Sequence, residues 1–293
     1  MVIKSVSKVI KPFLLASLLV SYLVGAGLVQ YVRGMQSWTG FFQGLFFILF
    51  IALSVESLVE LQLLSDPRRW PENVTYDVVK QIRWALAILA ATLLAAATSL
   101  LIGWMIGGSL NQGLLGLVIM AVLAGVVYYF TRILPKFTPY QVFSQALLFA
   151  VLPPAMGFFI QSNDIHWMLT LTVLPMIPGF IANQLLHQIK HFSADQKGDV
   201  KSFVNAIGWE WGMIFHNALI LLGYVMFALV AVLGFPWFLV WQVFLTLPIG
   251  LLEIWLMERT RRGGKVLWRA MTAATLSIYF IPMYLMGLAF WIR

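Results

Sequence analysis

Two pairs of acidic residues are spaced four positions apart, the repeat that brings side chains to one face of a helix. Glu56 and Glu60 form the first pair, and Asp195 and Asp199 form the second. Carboxylate oxygens are the ligands that Mg²⁺ prefers, and protein-bound Mg²⁺ is commonly shared with substrate phosphates. Two such pairs facing each other would therefore suit a diphosphate substrate held through Mg²⁺.

Basic residues near both pairs could contact the phosphate oxygens. Arg69 would do so through its bidentate guanidinium group, and Lys190 and Lys201 would act as point charges. Lys190 is the best single candidate because it precedes the second acidic pair closely. Each of these interpretations has a plain structural alternative. The first acidic pair could be neutralised by Arg68, Arg69 or a helix terminus, and basic residues gather at the cytoplasmic edge of membrane proteins whatever their function.

Two histidines add a second possible metal site. His187 and His191 are also four residues apart, and with Asp195 they could form a set of two imidazoles and one carboxylate. Histidine is, however, common at the polar ends of transmembrane helices. Asn183, on the same segment, would be either a hydrogen-bonding contact between helices or part of a pocket lining.

The composition places all of these residues in a membrane protein. Of 293 residues, 61% are hydrophobic and 10% are charged, and no water-soluble domain could cover that much apolar surface. The chain contains no cysteine, which excludes disulfides, thiolate metal sites and a cysteine nucleophile. No phosphate-binding loop of the GxxxxGK[ST] type, HExxH or GxSxG motif occurs either, so nucleotide hydrolysis, zinc peptidase and hydrolase functions lack support.

Apolar windows of about 20 residues predict the membrane-spanning helices. The fold class is therefore an all-α polytopic membrane protein, a single transmembrane domain over residues 1–293. Nine spans are predicted, near residues 13–32, 39–64, 84–106, 110–131, 139–161, 165–189, 208–232, 235–257 and 268–291. Polar loops are predicted at about 65–83 and 190–207.

The charge distribution predicts the orientation of these spans. With nine spans, 17 of the 19 basic residues fall on one side, and Arg33 and Arg293 fall on the other. The positive-inside rule then places the N-terminus and both polar loops in the cytoplasm and the C-terminus outside. The formal net charge of +8 is accounted for in this way, so no nucleic-acid partner is expected.

Three ionisable residues fall within or at the edge of apolar spans, where such groups indicate function by default. Glu210 lies between Trp209 and Trp211, so a carboxylate exposed in an interfacial aromatic belt explains it as well. His216 is the second of the three. Glu253, the third, precedes a basic loop by less than two turns, and we expect it to pair with Arg259 or Arg261.

Several segments resemble the UbiA superfamily of intramembrane prenyltransferases, and the likeness covers nearly the whole chain. KPF at 11–13 is similar to the family's opening signature, and RWP at 69–71 lies where members have Arg-Pro after their first Asp-rich motif. The run DQKGDVKSFVNAIG at 195–208 resembles the end of the second motif. Lys190 and Asp195 match a lysine and the last aspartate in chlorophyll-synthase-like members. The resemblance implies nine helices and aspartates that hold Mg²⁺ against an isoprenoid diphosphate in a lipid-open cavity.

The departures from the family concern the chemistry itself. The stretch that corresponds to NDxxDxxxD offers Glu56, Glu60 and Asp66, and His191 stands where the second motif has an aspartate. Longer carboxylates and an imidazole do not reproduce the octahedral oxygen geometry of Mg²⁺ without rearrangement.

The sequence leaves two main functional hypotheses and a third, a transporter. In the first, the chain is a non-catalytic subunit of a larger membrane complex that binds a lipid, a quinone or a pigment. In the second, it is an active Mg²⁺-dependent prenyltransferase that moves an isoprenoid chain to an aromatic, quinone-precursor or chlorophyll-type acceptor. Its ligands would be the two acidic pairs, with Lys190 and Arg69 at the diphosphate. Either protein would lie in the cytoplasmic membrane or an equivalent energy-transducing membrane.

Overall fold

The computed structural model describes residues 11–67, 75–164, 166–197 and 201–292, apart from the side chains of Asp195 and Lys197. Within these ranges the chain forms helices and turns, with no strand. This architecture suits a bilayer, because a helix satisfies all of its backbone hydrogen bonds within one segment.

Nine helical spans in the described residues are long and apolar enough to cross a membrane, as the sequence predicts. They are α1 (Pro12–Arg33), α2 (Trp38–Leu63), α3 (Tyr76–Ile106), α4 (Gln112–Ile133), α5 (Thr138–Ser162), α6 (Trp167–Val173 and Met176–Lys197), α7 (Trp209–Val232), α8 (Trp237–Arg261) and α9 (Trp268–Ile292). A short helix, Phe203–Ile207, connects α6 to α7.

The polar loops predicted at 65–83 and 190–207 are partly helical. The helix α3 begins at Tyr76, well before the apolar segment predicted from 84, because Val79, Ile82 and Leu86 bury one face of its polar first turns. In the second half, α6 continues to Lys197. The sequence window missed both extensions because it averages over all faces of a helix.

The first helix lies at the centre of the bundle. It packs mainly on α5 and α9. Gly25 allows the closest of these approaches, since a Cβ atom there would lie 2.1 Å from the Pro154 carbonyl oxygen. Small residues at such crossings let helix backbones touch, which compensates for the weak hydrophobic drive between helices in lipid.

The fifth span contains a π-helical segment, Leu147–Val151. Pro153 has no N–H group, so the Phe149 carbonyl oxygen lacks its usual partner four residues later. The hydroxyls of Ser17 and Ser21 on α1 donate to that oxygen at 3.2 and 3.1 Å. The irregular backbone of α5 is thus stabilised by α1, which also fixes the position of the polar residues of α5 beside the candidate site.

Candidate functional site

The first acidic pair lies in a cluster of polar side chains between α2, α4 and the start of α1. Glu56 is buried, with 4% of its surface exposed. The Lys11 Nζ lies 3.2 Å from Glu56 Oε2 and 3.4 Å from Oε1, and the Tyr128 hydroxyl donates to Oε1 at 2.5 Å. Both oxygens of the Glu56 carboxylate are therefore occupied by groups of the chain itself.

Glu60 has a looser partner one turn further along α2. Its Oε1 lies 3.7 Å from the Arg132 guanidinium, and both side chains are partly exposed. Arg132 also donates to Gln141 at 3.1 Å, and Gln145 donates to the Tyr128 hydroxyl at 3.5 Å. These polar residues come in pairs spaced four positions apart on α4 and α5, so each pair projects from one helix face toward the cluster.

Lys11 precedes α1 and is the cation nearest to the buried carboxylate. Burial lowers its pKa below the ordinary value of 10.5, and the attraction of Glu56 opposes this without fully offsetting it. The neighbouring Arg132 lowers the pKa further. The lysine is thus held at a site where its charge is costly, with the Glu56 carboxylate as the principal compensation.

A small cavity lies beside the Lys11–Glu56 ion pair. It measures about 10 Å³ and is lined by apolar residues that include Leu14, Leu49 and Phe149. A single ordered water requires roughly 10–15 Å³. The carboxylate and the ammonium group are therefore in direct contact with no room for an ion between them.

The histidines and Lys190 lie on the exposed side of α6. The rings of His187 and His191 are 4.6 Å apart between centroids. His187 lies within electrostatic range of Lys190 on its own helix and of Lys11 and Arg132 on the other side of the site.

Other predicted site residues are separate from this cluster or lie outside the described part of the chain. Asn183 is half-buried on α6, and Lys201 is exposed. Arg68, Arg69 and Asp199 lie outside the described residues, as does the Asp195 side chain. The prediction that Glu60 and Asp195 face each other therefore remains a prediction.

The described residues contain part of the proposed Mg²⁺ ligand set, Glu56 and Glu60. Within the described part of the chain, no group of three or more acidic or histidine side chains is close enough to hold a metal. Mg²⁺ demands near-octahedral oxygen coordination, whereas the most buried carboxylate of the cluster is taken by a lysine and a tyrosine. Among the described residues, Lys11 is the partner of Glu56 and Arg132 the partner of Glu60; the alternative that Arg68 or Arg69 neutralises this pair falls on residues outside the described ranges.

A second buried carboxylate lies in the other half of the bundle. Glu253 and His216 are both fully buried, and His216 Nε2 lies 3.2 Å from Glu253 Oε1. Thr275 on α9 donates to the same oxygen. The expected pairing of Glu253 with Arg259 or Arg261 is wrong.

The arginines after Glu253 have other partners. Arg261 and Arg262 bind Glu258, which is three and four residues away on the same helix and is therefore the nearer carboxylate. Arg259 lies over the ring of Trp255 at 5.6 Å. Glu253 instead faces the interior of the bundle, where it contacts the imidazole of His216 on α7.

Sequence reasoning did not assign several members of this cluster to a site. Lys11 counted toward orientation and the KPF signature, Arg132 counted toward orientation, and Tyr128, Gln141 and Gln145 were not singled out. The available signal was the spacing of Tyr128 and Arg132, which places a hydroxyl and a guanidinium on one face of an otherwise apolar helix.

Comparison with known proteins gives a consistent result. The sequence model of the UbiA prenyltransferase family matches residues 83–276, more than half of the chain. No curated protein sequence gives a significant match. The fold is similar to that of a UbiA homolog from Archaeoglobus fulgidus, at 15% identity over 96% of this chain and 98% of that one. The TM-score is 0.63 for its structure bound to GPP and Mg²⁺ and 0.57 for its structure bound to Cd²⁺.

Proposed function

The chain belongs to the UbiA prenyltransferase family, and we propose that it keeps the family's scaffold without the family's reaction. In this proposal it is a multi-pass membrane protein that binds an amphiphile and serves as a subunit of a larger membrane complex. It lies in the cytoplasmic membrane or an equivalent energy-transducing membrane.

One observation carries the proposal: Glu56 is bound by Lys11 and Tyr128. A carboxylate that already faces an ammonium ion at 3.2 Å has little remaining attraction for a divalent cation. Arg132 stands beside Glu60 in the same way, so the two acidic and two basic groups balance each other. Binding of a diphosphate with its Mg²⁺ ions would require these ion pairs to separate.

The ligand class follows from the charge balance. A neutral or zwitterionic amphiphile adds no uncompensated charge to the bundle, whereas an unpaired buried ion costs several kcal/mol. A quinone, a pigment tail or a phospholipid meets this condition. The aromatic outer faces, with Trp38, Phe42 and Phe46 exposed on α2, would suit contacts with other membrane subunits.

The alternative is an active Mg²⁺-dependent prenyltransferase. Membership of the family and the likeness of the fold to a homolog bound to GPP and Mg²⁺ favour it. Glu56, Glu60, Asp195 and Asp199 would then be the metal ligands, with Lys190 and Arg69 at the diphosphate.

Assay of the detergent-purified chain with isoprenoid diphosphates, Mg²⁺ and aromatic or pigment acceptors separates the two proposals. We expect no turnover and co-purification of membrane proteins. Turnover that is lost in Glu60→Gln and in Asp195→Asn would establish the transferase instead. Glu210→Gln, an exposed carboxylate outside the cluster, is the matched control and should leave any turnover unchanged.

A further inference from the structure

The third helix is attached to the bundle along one side only. It packs on α2, and its contact with α4 is slight at most within the described residues. Only 17% of its apolar window is buried inside the protein. Because α4 also packs on α2, the helices α3 and α4 diverge from a shared neighbour and leave a groove between them.

The inner part of this groove is apolar. A cavity of about 370 Å³ is lined by α2, α3 and α4, including Val55, Leu94, Val122 and Val126. Its size is within the range of small-molecule sites, roughly 300–1,000 Å³. Gly125 sets its floor, since a Cβ atom there would lie 2.9 Å from a methyl group of Val55.

The outer part of the groove has a different chemistry. A second cavity of about 330 Å³ lies at the start of α3 and is lined by Leu61, Tyr76, Lys80, Arg83 and Trp84 among others. Lys80 and Arg83 are exposed, and Trp84 is 64% exposed. Two cations beside a tyrosine and a tryptophan are typical of the headgroup level of a membrane.

The two cavities lie on one face of α3. Tyr76, Lys80, Arg83, Ala87 and Leu94 are separated by three, four or seven residues, which aligns their side chains along the helix. Leu58 of the inner cavity and Leu61 of the outer cavity are likewise neighbours on α2. The groove therefore presents cations and aromatic rings at the membrane surface and an apolar slot beneath them.

We propose that this groove binds one anionic phospholipid of the leaflet that faces the basic loops. Lys80 and Arg83 contact the phosphate-bearing headgroup, and the slot between α3 and α4 holds an acyl chain. Charge complementarity selects the headgroup, because a cationic site at this depth attracts anionic lipid about fivefold per basic residue. The site is separate from the Lys11–Glu56 cluster and does not depend on whether the chain is catalytic.

Native mass spectrometry of the full chain in detergent, titrated with dioleoyl phosphatidylglycerol or dioleoyl phosphatidylcholine, tests the headgroup contact. We expect tighter binding of phosphatidylglycerol and a loss of about 25-fold in the double variant K80Q/R83Q. The variant K265Q/R269Q removes two exposed basic residues, one in the loop before α9 and one in its first turn, and should change binding less than twofold. Equal losses in both double variants, or equal binding of the two lipids, would overturn the proposal.

Separate experiments test the slot for the acyl chain and the identity of the molecule that occupies the groove. Val126→Trp should fill the slot and weaken the binding of phosphatidylglycerol, whereas Val225→Trp, on the exposed face of α7, should leave binding unchanged. Competition by soluble glycerol phosphate would assign the site to free phosphate instead of lipid. A photo-crosslinking residue at Val122, activated in native membranes, should yield a lipid adduct, and a protein adduct would assign the groove to a partner helix.

Discussion

The two buried carboxylates of the described bundle have different kinds of partner. Glu56 faces a lysine, which is cationic over most of the pH range, and a tyrosine hydroxyl. Glu253 is fully buried and faces an imidazole, which carries charge only when protonated, and a threonine. A carboxylate near the membrane edge is thus paired with a flexible cation, whereas the one in the interior is held by an imidazole and a hydroxyl.

The largest expected effect comes from the interior pair. His216→Ala leaves Glu253 with Thr275 as its remaining partner, and removal of one member of a buried pair costs about 3–5 kcal/mol. Unfolding of the detergent-solubilised protein, monitored by tryptophan fluorescence, measures the loss. Ile214→Ala, a truncation on the exposed side of the same helix, serves as the control. A loss no larger than that of the control would mean that the pair contributes little.

A smaller loss of stability is expected when the Lys11–Glu56 ion pair at the membrane edge is broken. Lys11→Met should cost about 1–2 kcal/mol, less than a fully buried partner, because 31% of the lysine side chain is exposed. The double variant with Glu56→Gln should be more stable than the sum of the single changes by on the order of 1 kcal/mol. The Arg261–Glu258 pair, whose side chains are 34% and 30% exposed, provides a comparison cycle, and its coupling should be weaker because neither charge is buried as Glu56 is. Strict additivity at Lys11 and Glu56 would contradict the ion pair.

The smallest expected effect is a dependence of protein stability on pH. The pKa of Lys11 is lowered in the folded protein, so in the alkaline range below 10.5 the unfolded chain binds more protons at this position than the folded chain does. Stability from this residue therefore rises with pH in that window. The thermal midpoint of wild type relative to Lys11→Met should increase as the pH approaches 10.5. A constant or decreasing difference in the thermal midpoint would show that the attraction of Glu56 raises the pKa of Lys11 by as much as burial lowers it, or by more.

The same comparison explains what the sequence could predict. Helix number and approximate ends follow from apolar windows, because lipid leaves a backbone few alternatives to a helix. The acidic residues of the site were also identifiable from their spacing. Their partners were not, since Lys11 and Tyr128 are distant from Glu56 in the chain and only the packing of α1 and α4 on α2 brings them together. Glu253 had an arginine nearby in sequence, but its helix turns it toward His216.

The position of α1 between α5 and α9 has a consequence for biosynthesis. The helix α1 leaves the ribosome before the two helices on which it mainly packs, one of which begins at Trp268. Roughly 235 residues separate the end of α1 from that helix, which at about 5–20 residues per second takes on the order of 10–50 s. Until α5 has been made Ser17 and Ser21 lack the Phe149 carbonyl, and until α9 has been made Ser17 also lacks the Tyr279 hydroxyl. Before then a serine hydroxyl can bond to a carbonyl of its own helix, as Ser21 does to Ser17, which satisfies it in lipid.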